Sequence, residues 1–116
     1  MKKRSHNIGF CADVGNSVFV ECDEVELFEH LAKFTKHVHI KDYIISDSSL
    51  VMKSEMRSLG GKYIYDVLPG GGNIDIASCL KCLKDVGYDG DMALEYLGSD
   101  EEIRSSMEYI RTLWNN

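Results

Sequence analysis

No stretch of this 116-residue chain approaches the ~20 consecutive apolar residues that a membrane-spanning helix needs. The basic run Lys2-Lys3-Arg4 is followed by Ser5-His6-Asn7, not by the apolar core of a secretion signal. These two absences set the expectation of a cytoplasmic protein without a membrane partner. Positive charge is also scarce. The 13 lysines and arginines stand against 19 aspartates and glutamates, a net charge of −6. That balance disfavours nonspecific binding to nucleic acid or to an acidic membrane. The short basic run reads as a solvated terminus. There is one proline, and there is no internal repeat or low-complexity tract. The four cysteines suit free thiols. Cys79 and Cys82 form a C-x-x-C, but inside a helical pattern with no strand-to-helix turn before them. That context reads as two thiols on or beside a packed helix face, not as a redox or zinc site.

What is present is the composition of an ordinary globular domain, 44% hydrophobic and 28% charged. The length suits one modest domain or part of a larger one. "IGFCADV" (8–14) reads as a strand. "DEVELFEHLAKF" (23–34) reads as a helix with Leu27, Phe28, Leu31 and Phe34 on one stripe, and Asp23 and Glu26 have capping-box spacing at its start. "HVHIKDYI" is the next strand. Residues 46–72 are expected to form a long, poorly periodic loop. A helix over 75–86 places Ile76, Leu80, Leu83 and Val86 on one side and ends at Gly87. "DMALEYL" (91–97) is a third strand, and Ser99 with Glu102 caps a last helix carrying Ile103, Met107, Ile110 and Trp114. The order β-α-β-loop-α-β-α predicts an α/β fold with a parallel sheet and chemistry at the carboxyl ends of its strands.

The three strands share one phase. Ile8, Phe10 and Ala12 alternate with Gly9, Cys11 and Asp13; Val38 and Ile40 with His37, His39 and Lys41; Met92 and Leu94 with Asp91, Ala93 and Glu95. One face is apolar and suited to cover by helices. The other is small or polar, whereas a doubly wound open sheet needs apolar residues on both faces. A polar second face suits the inside of a barrel. Asp13, His39 and Glu95 stand at or near its carboxyl end. One imidazole and two carboxylates suit a divalent cation of intermediate softness: Mn²⁺, Zn²⁺, Co²⁺ or Mg²⁺.

"CADVGNS", "HVHIKD", "PGGGNIDI" and "LKDVGYDGDMALEY", in this order, resemble the sugar phosphate isomerase/epimerase family of the xylose isomerase-like TIM barrel superfamily. The resemblance runs from about residue 8 to the end and is specific for the superfamily, not for a substrate. It implies that the chain holds the last three β/α units, strands six to eight, of a (β/α)8 barrel. It implies metal ligands at Asp13, His39 and Glu95, with Glu95 also a catalytic acid/base, and His37 as a packing or hydrogen-bonding neighbour. Asn16 stands where many members have a substrate-contacting histidine; it can bond a hydroxyl but cannot shuttle a proton. Lys41 and Asp42 match a "K-D" pair, with Lys41 either holding a substrate oxygen or forming a structural ion pair. The glycines of "PGGGNIDI" match a tight turn near the site, not a phosphate-cradling loop. A full barrel typically takes ~250 residues. The first five strands, and with them the family's other acid/base glutamate, have no counterpart here.

The implied activity is isomerisation or epimerisation of a sugar or sugar phosphate. A proton leaves the carbon beside the carbonyl, a divalent cation stabilises the enediolate, and a carboxylate returns the proton. A second reading is a catalytically inactive metal- or sugar-binding remnant or assembly subunit. A third is an interaction protein with incidental histidines. A DNA-directed activity, also found in the superfamily, is disfavoured by the negative charge and by the lack of an arginine-rich or aromatic surface. Unpaired sheet edges predict a homo-oligomer or a partner chain supplying the missing barrel strands.

Overall fold

The computed structural model describes residues 8–53 and 55–116. Strand β1 (Phe10–Asp13) leads through a 3-10 turn (Asn16–Val20) into helix α1 (Glu24–Leu31). A second 3-10 turn (Ala32–Phe34) follows, so the helix predicted over 23–34 tightens in its last turn. Strand β2 (Thr35–Ile40) is followed by β3 (Asp42–Ser46), β4 (Glu55–Arg57) and β5 (Tyr63–Val67). Helix α2 (Ile76–Asp85), strand β6 (Met92–Leu94) and helix α3 (Asp100–Asn115) complete the order.

Strands β1, β2 and β6 form a parallel sheet in the order β1-β2-β6, with Asp13 beside His39 and His39 beside Ala93. The predicted phase holds. Ala12, Val38 and Ile40 are buried toward the helices, while Cys11, His37 and His39 are partly or fully exposed on the other face. The core gathers these residues with Phe28 of α1 and Leu80 and Leu83 of α2. Burying a side chain of this kind stabilises the fold by roughly 1.5–3 kcal/mol. The α-helix starts are capped, at Asp23 and Ser99 as the spacing implies and also at Asp75. Asp23 accepts from the Glu26 N–H, Asp75 from the Ser78 N–H, and Ser99 with Glu102 forms a complete capping box. Cys79 is fully buried on α2 and burial pushes its thiol pKa up, so this half of the C-x-x-C is a packing residue.

The structure corrects the expected elements in four places. The strand expected over 37–44 breaks at Lys41, where the chain leaves one sheet and enters another. The expected long loop 46–72 contains two strands, β4 and β5, which pair antiparallel with each other and, through β5, with β3. The turn between them uses Gly61 at φ 88°, a conformation open to glycine. The third parallel strand is only three residues long, because Glu95 and Tyr96 already leave the sheet. Val86, expected on the apolar side of its helix, lies beyond the last turn and is 47% exposed.

One buried carboxylate holds these parts together. Asp42 is 1% exposed. Its Oδ1 accepts from the N–H groups of Tyr43 and Ile74, at 2.9 and 3.1 Å. Its Oδ2 accepts from Gly70 and Gly72, at 2.9 and 3.0 Å. A side chain at Gly72 would collide with that carboxylate and with the Tyr43 carbonyl, so the turn needs glycine there. Asn73 then pairs with β3: its N–H donates to the Tyr43 carbonyl and its Oδ1 accepts from the Ile45 N–H, both at 2.7 Å. Asp42→Ala would leave buried N–H groups without acceptors. It is expected to lower the unfolding free energy by about 3 kcal/mol or more, and Asp42→Asn by less. Urea unfolding followed by circular dichroism checks this; a loss below about 1 kcal/mol for the alanine variant would contradict the role.

Candidate metal and substrate site

Three strand ends bring the site together. Asp13 is the last residue of β1, and the next peptide N–H, of Val14, donates to the His39 carbonyl at 3.1 Å. His39 lies one residue before the end of β2. Glu95 follows β6, and its N–H donates to the Ile40 carbonyl at 2.9 Å, which fixes where its side chain starts. One ligand-capable atom from each of Asp13, His39 and Glu95 lies within 4.8 Å of the others. The convergence expected from the common strand phase is therefore present.

The two oxygens of Asp13 have different surroundings. Oδ1 accepts from the N–H groups of Gly15 and Asn16, at 2.9 and 3.0 Å, closing a turn that opens the 3-10 segment. Oδ2 is buried and receives no aligned hydrogen bond. It has ionic neighbours instead: the Lys41 ammonium at 2.9 Å and His39 Nδ1 at 3.8 Å. His39 Nδ1 is also 3.1 Å from Glu95 Oε1, while Nε2 lies 3.8 Å from the Cys11 thiol. The ring of His37 stands edge-on to that of His39 at 5.1 Å, the packing neighbour expected of it.

Lys41 sits between the carboxylates. Its ammonium contacts Asp13 and Glu95 and lies 3.4 Å from Asn16 Oδ1, so the two predicted substrate contacts, Lys41 and Asn16, touch each other. Burial pulls the Lys41 pKa down, but the hydrogen bond to Glu95 and the close Asp13 carboxylate outweigh it and hold the ammonium above the ordinary lysine range. The hydrogen bond from Lys41 holds the Glu95 carboxyl below its ordinary range, against the opposing effect of burial. Gly15 makes this approach feasible, since a Cβ there would meet Lys41 Cγ at 2.6 Å and Tyr43 Cε2 at 2.8 Å.

The donor set fits a divalent cation. Two carboxylates and an imidazole converge, one carboxylate oxygen is buried without an aligned donor, and an ammonium already occupies the negative potential there. Beside the site a cleft of about 560 Å³ is lined by Lys41, Tyr43, Met56, Asp66, Glu95 and Tyr96. Its far wall, Met56 and Asp66, comes from β4 and β5, inside the segment expected to be a loop. The signal that could have found it was "YIYDV" after a Gly-Gly turn. Another cavity, of about 500 Å³, lies on the helical side between β6 and α3, lined by Met92, Leu94, Ile110 and Trp114. None of the three converging residues reaches it.

The family described as xylose isomerase-like TIM barrel matches residues 2–113. The chain belongs to that family. Inosose dehydratases from two strains of Clostridium perfringens are 31% identical over 99 residues, covering 84% of this chain and 33% of each relative. The crystal structure of a xylose isomerase domain protein from Planctomyces limnophilus superposes with a TM-score of 0.70 at 21% identity, covering 92% of this chain and 36% of that one. A xylose isomerase-like TIM barrel protein from Mycobacterium smegmatis, in complex with magnesium, superposes with a TM-score of 0.68 at 20% identity, covering 92% of this chain and 34% of that one. The chain thus spans about a third of the length of these xylose isomerase-like relatives. No helix among the described residues is long and apolar enough to cross a membrane.

Because Lys41 depresses the Glu95 pKa, Lys41→Met should raise it toward the ordinary glutamate value. The stabilisation from this ion pair is present above the unfolded glutamate pKa and is lost as pH falls through the depressed folded one. A ¹³C NMR titration of the Glu95 carboxyl in both proteins reads this directly, and an unchanged midpoint would show that the contact is not made in solution.

Proposed function

We propose that Asp13, His39 and Glu95 hold a divalent cation, and that the adjoining cleft binds a sugar whose carbonyl-adjacent carbon exchanges a proton with Glu95. The carrying observation is the convergence of these donor atoms within 4.8 Å around a buried Asp13 oxygen whose neighbours are the Lys41 ammonium and the His39 ring. The cation, when bound, supplies positive charge to the developing enediolate oxygens. Its identity among Mn²⁺, Mg²⁺, Co²⁺ and Zn²⁺ is left open by the donor set; the magnesium of the Mycobacterium smegmatis relative favours a hard ion.

The remaining steps belong to the chain's own residues. A glutamate is ionised at neutral pH even at its ordinary pKa; the Lys41 ammonium lowers the Glu95 pKa further, so Glu95 becomes a stronger proton acceptor only when that ammonium turns to a substrate oxygen. Lys41 offers N–H donors to a substrate oxygen, and Asn16 offers its amide to a hydroxyl. Isomerisation, epimerisation and dehydration of a keto-sugar all begin by removing a proton next to the carbonyl. The relationship to inosose dehydratases and the expected isomerase chemistry therefore meet at the same first step. Two-base epimerisation needs a second acid/base, which the resemblance assigns to the barrel strands outside this third. Metal and sugar binding with little turnover is accordingly the reading for the isolated chain. The open edges of β1 and β6 among the described residues support assembly with a second copy or with a chain supplying further strands.

Calorimetric titration with Mn²⁺ tests the metal assignment. Asp13→Asn, His39→Ala and Glu95→Gln should each weaken binding by more than about tenfold. Lys41→Met, which removes the competing ammonium, should tighten it by about threefold or more. Equal Mn²⁺ affinity across all five proteins would rule out this site. Rapid turnover of a ketose by the chain alone would show that no catalytic part is missing from it.

A further inference from the structure

The two nitrogens of the His39 ring face different chemistry. Nδ1 points to the carboxylates, 3.1 Å from Glu95 Oε1 and 3.8 Å from Asp13 Oδ2. Nε2 points to the Cys11 thiol, at 3.8 Å. Strand register produces this second contact. Asp13 stands beside His39 and Cys11 beside His37, so Cys11 is the diagonal neighbour of His39 on the polar face of the sheet. Sulfur is larger than oxygen, and the separation is that of a long, weak hydrogen bond between imidazole and thiol.

Resting on the proposed metal site, we infer that Cys11 is a positioning residue for His39, and that its thiol exchanges donor and acceptor roles when a cation binds. A neutral imidazole carries one N–H and one lone pair. In the metal-free chain a carboxylate oxygen lies 3.1 Å from Nδ1, so the N–H belongs on Nδ1 and the lone pair on Nε2, where it takes the thiol S–H. A cation held by Asp13, His39 and Glu95 needs the Nδ1 lone pair instead. The single ring proton then passes through solvent from Nδ1 to Nε2, and Nε2–H donates to Cys11 Sγ. A ligating histidine usually donates its other N–H to a carboxylate, a carbonyl or water, which fixes its tautomer and orientation. A carbonyl or carboxylate only accepts, so it would serve the metal-bound ring alone. A thiol both donates and accepts, so it holds the ring in one orientation before and after binding. Cys11 is no ligand in this arrangement; it acts through His39.

The ring ¹⁵N signals of His39 test this at about pH 8, above the ordinary histidine range and below the ordinary thiol one. Mg²⁺ is the probe, because a hard ion leaves the thiol to the imidazole. Without Mg²⁺ the proton should sit on Nδ1, and saturating Mg²⁺ should move it to Nε2. Cys11→Ala should shift the Nε2 signal in both forms and weaken Mg²⁺ binding by about tenfold, the low end for a group that supports a ligand. Cys11→Ser keeps a donor and an acceptor and should restore most of the affinity. Cys11 is exposed on its strand, so neither variant disturbs the core. A mere packing role would make the alanine and serine variants behave alike, and that result overturns the inference. So does a metal-free ring protonated on both nitrogens, or a proton that stays on Nδ1 when Mg²⁺ binds. Mg²⁺ that moves no signal of Asp13, His39 or Glu95 sinks the metal reading, and the exchange of roles falls with it. Mg²⁺ bound there with Nε2 indifferent to Cys11→Ala sinks the Cys11 inference alone.

Discussion

The Asp42 carboxylate is the constraint from which the rest of this architecture follows. Backbone N–H groups removed from water need acceptors, and the Gly70–Ile74 turn has no strand partner for most of its own. Asp42 supplies them from a position directly after β2, fully used on both oxygens. The carboxylate thereby ties the exit of the parallel sheet, the start of β3 and the entry to α2 into one unit. Because side chains alternate along an extended chain, sending Asp42 inward to this turn sends Lys41 to the opposite face, into the site. The adjacent pair thus divides its work: one charge organises backbone, the other faces chemistry.

The site's electrostatics rest on that division. Asp13 and Glu95 bring two negative charges and Lys41 one positive, so one negative charge remains uncompensated. Asp13 commits one oxygen to the turn at Gly15 and Asn16, which fixes the other in the site. His39 meets carboxylates on one ring nitrogen and the Cys11 thiol on the other. A fixed, partly buried excess of negative charge attracts cations, and an ammonium on a flexible stem is a cation that can move aside. Its displacement would also free Lys41 to meet an oxygen of the substrate.

The parallel strands and their polar face were legible because alternation survives in sequence wherever one face is buried. Val38 and Ile40 against His37 and His39 leave no second phase. Two helix starts were legible because Asp23 and Ser99 do local work that any tertiary context preserves. The small sheet was not. Its β4 strand is three residues long, and β3 runs directly on from β2 with only Lys41 between, so hydrophobicity alone shows one strand where there are two. The break is set by the long-range bonds of Asp42, which no local pattern carries. The Asp13, His39 and Glu95 constellation could be read from strand phase. Lys41 carried two readings, a substrate contact and a structural ion pair, and strand phase could not choose between them; the structure pairs it with Asp13 and Glu95.

That uneven legibility has a chemical counterpart. Removing a proton beside a carbonyl is common to isomerases, epimerases and dehydratases, and it asks only for a base, a positive charge and a fixed carbonyl. Under the proposed reading Asp13, His39, Lys41 and Glu95 would supply that step, and all four lie at the carboxyl ends of the parallel strands. What happens next depends on which hydroxyl is held and where the second proton goes. Those choices fall to groups around the rest of the substrate. In this chain one wall of the cleft comes from β4 and β5, outside the β/α repeat, through Met56 and Asp66. Loops and insertions at the carboxyl ends of barrel strands vary without disturbing the barrel, so substrate preference can change while the proton-transfer groups stay in place. If the proposed reading holds, the parallel strands would set the kind of first step, and the antiparallel sheet would be where a preference among sugars is written.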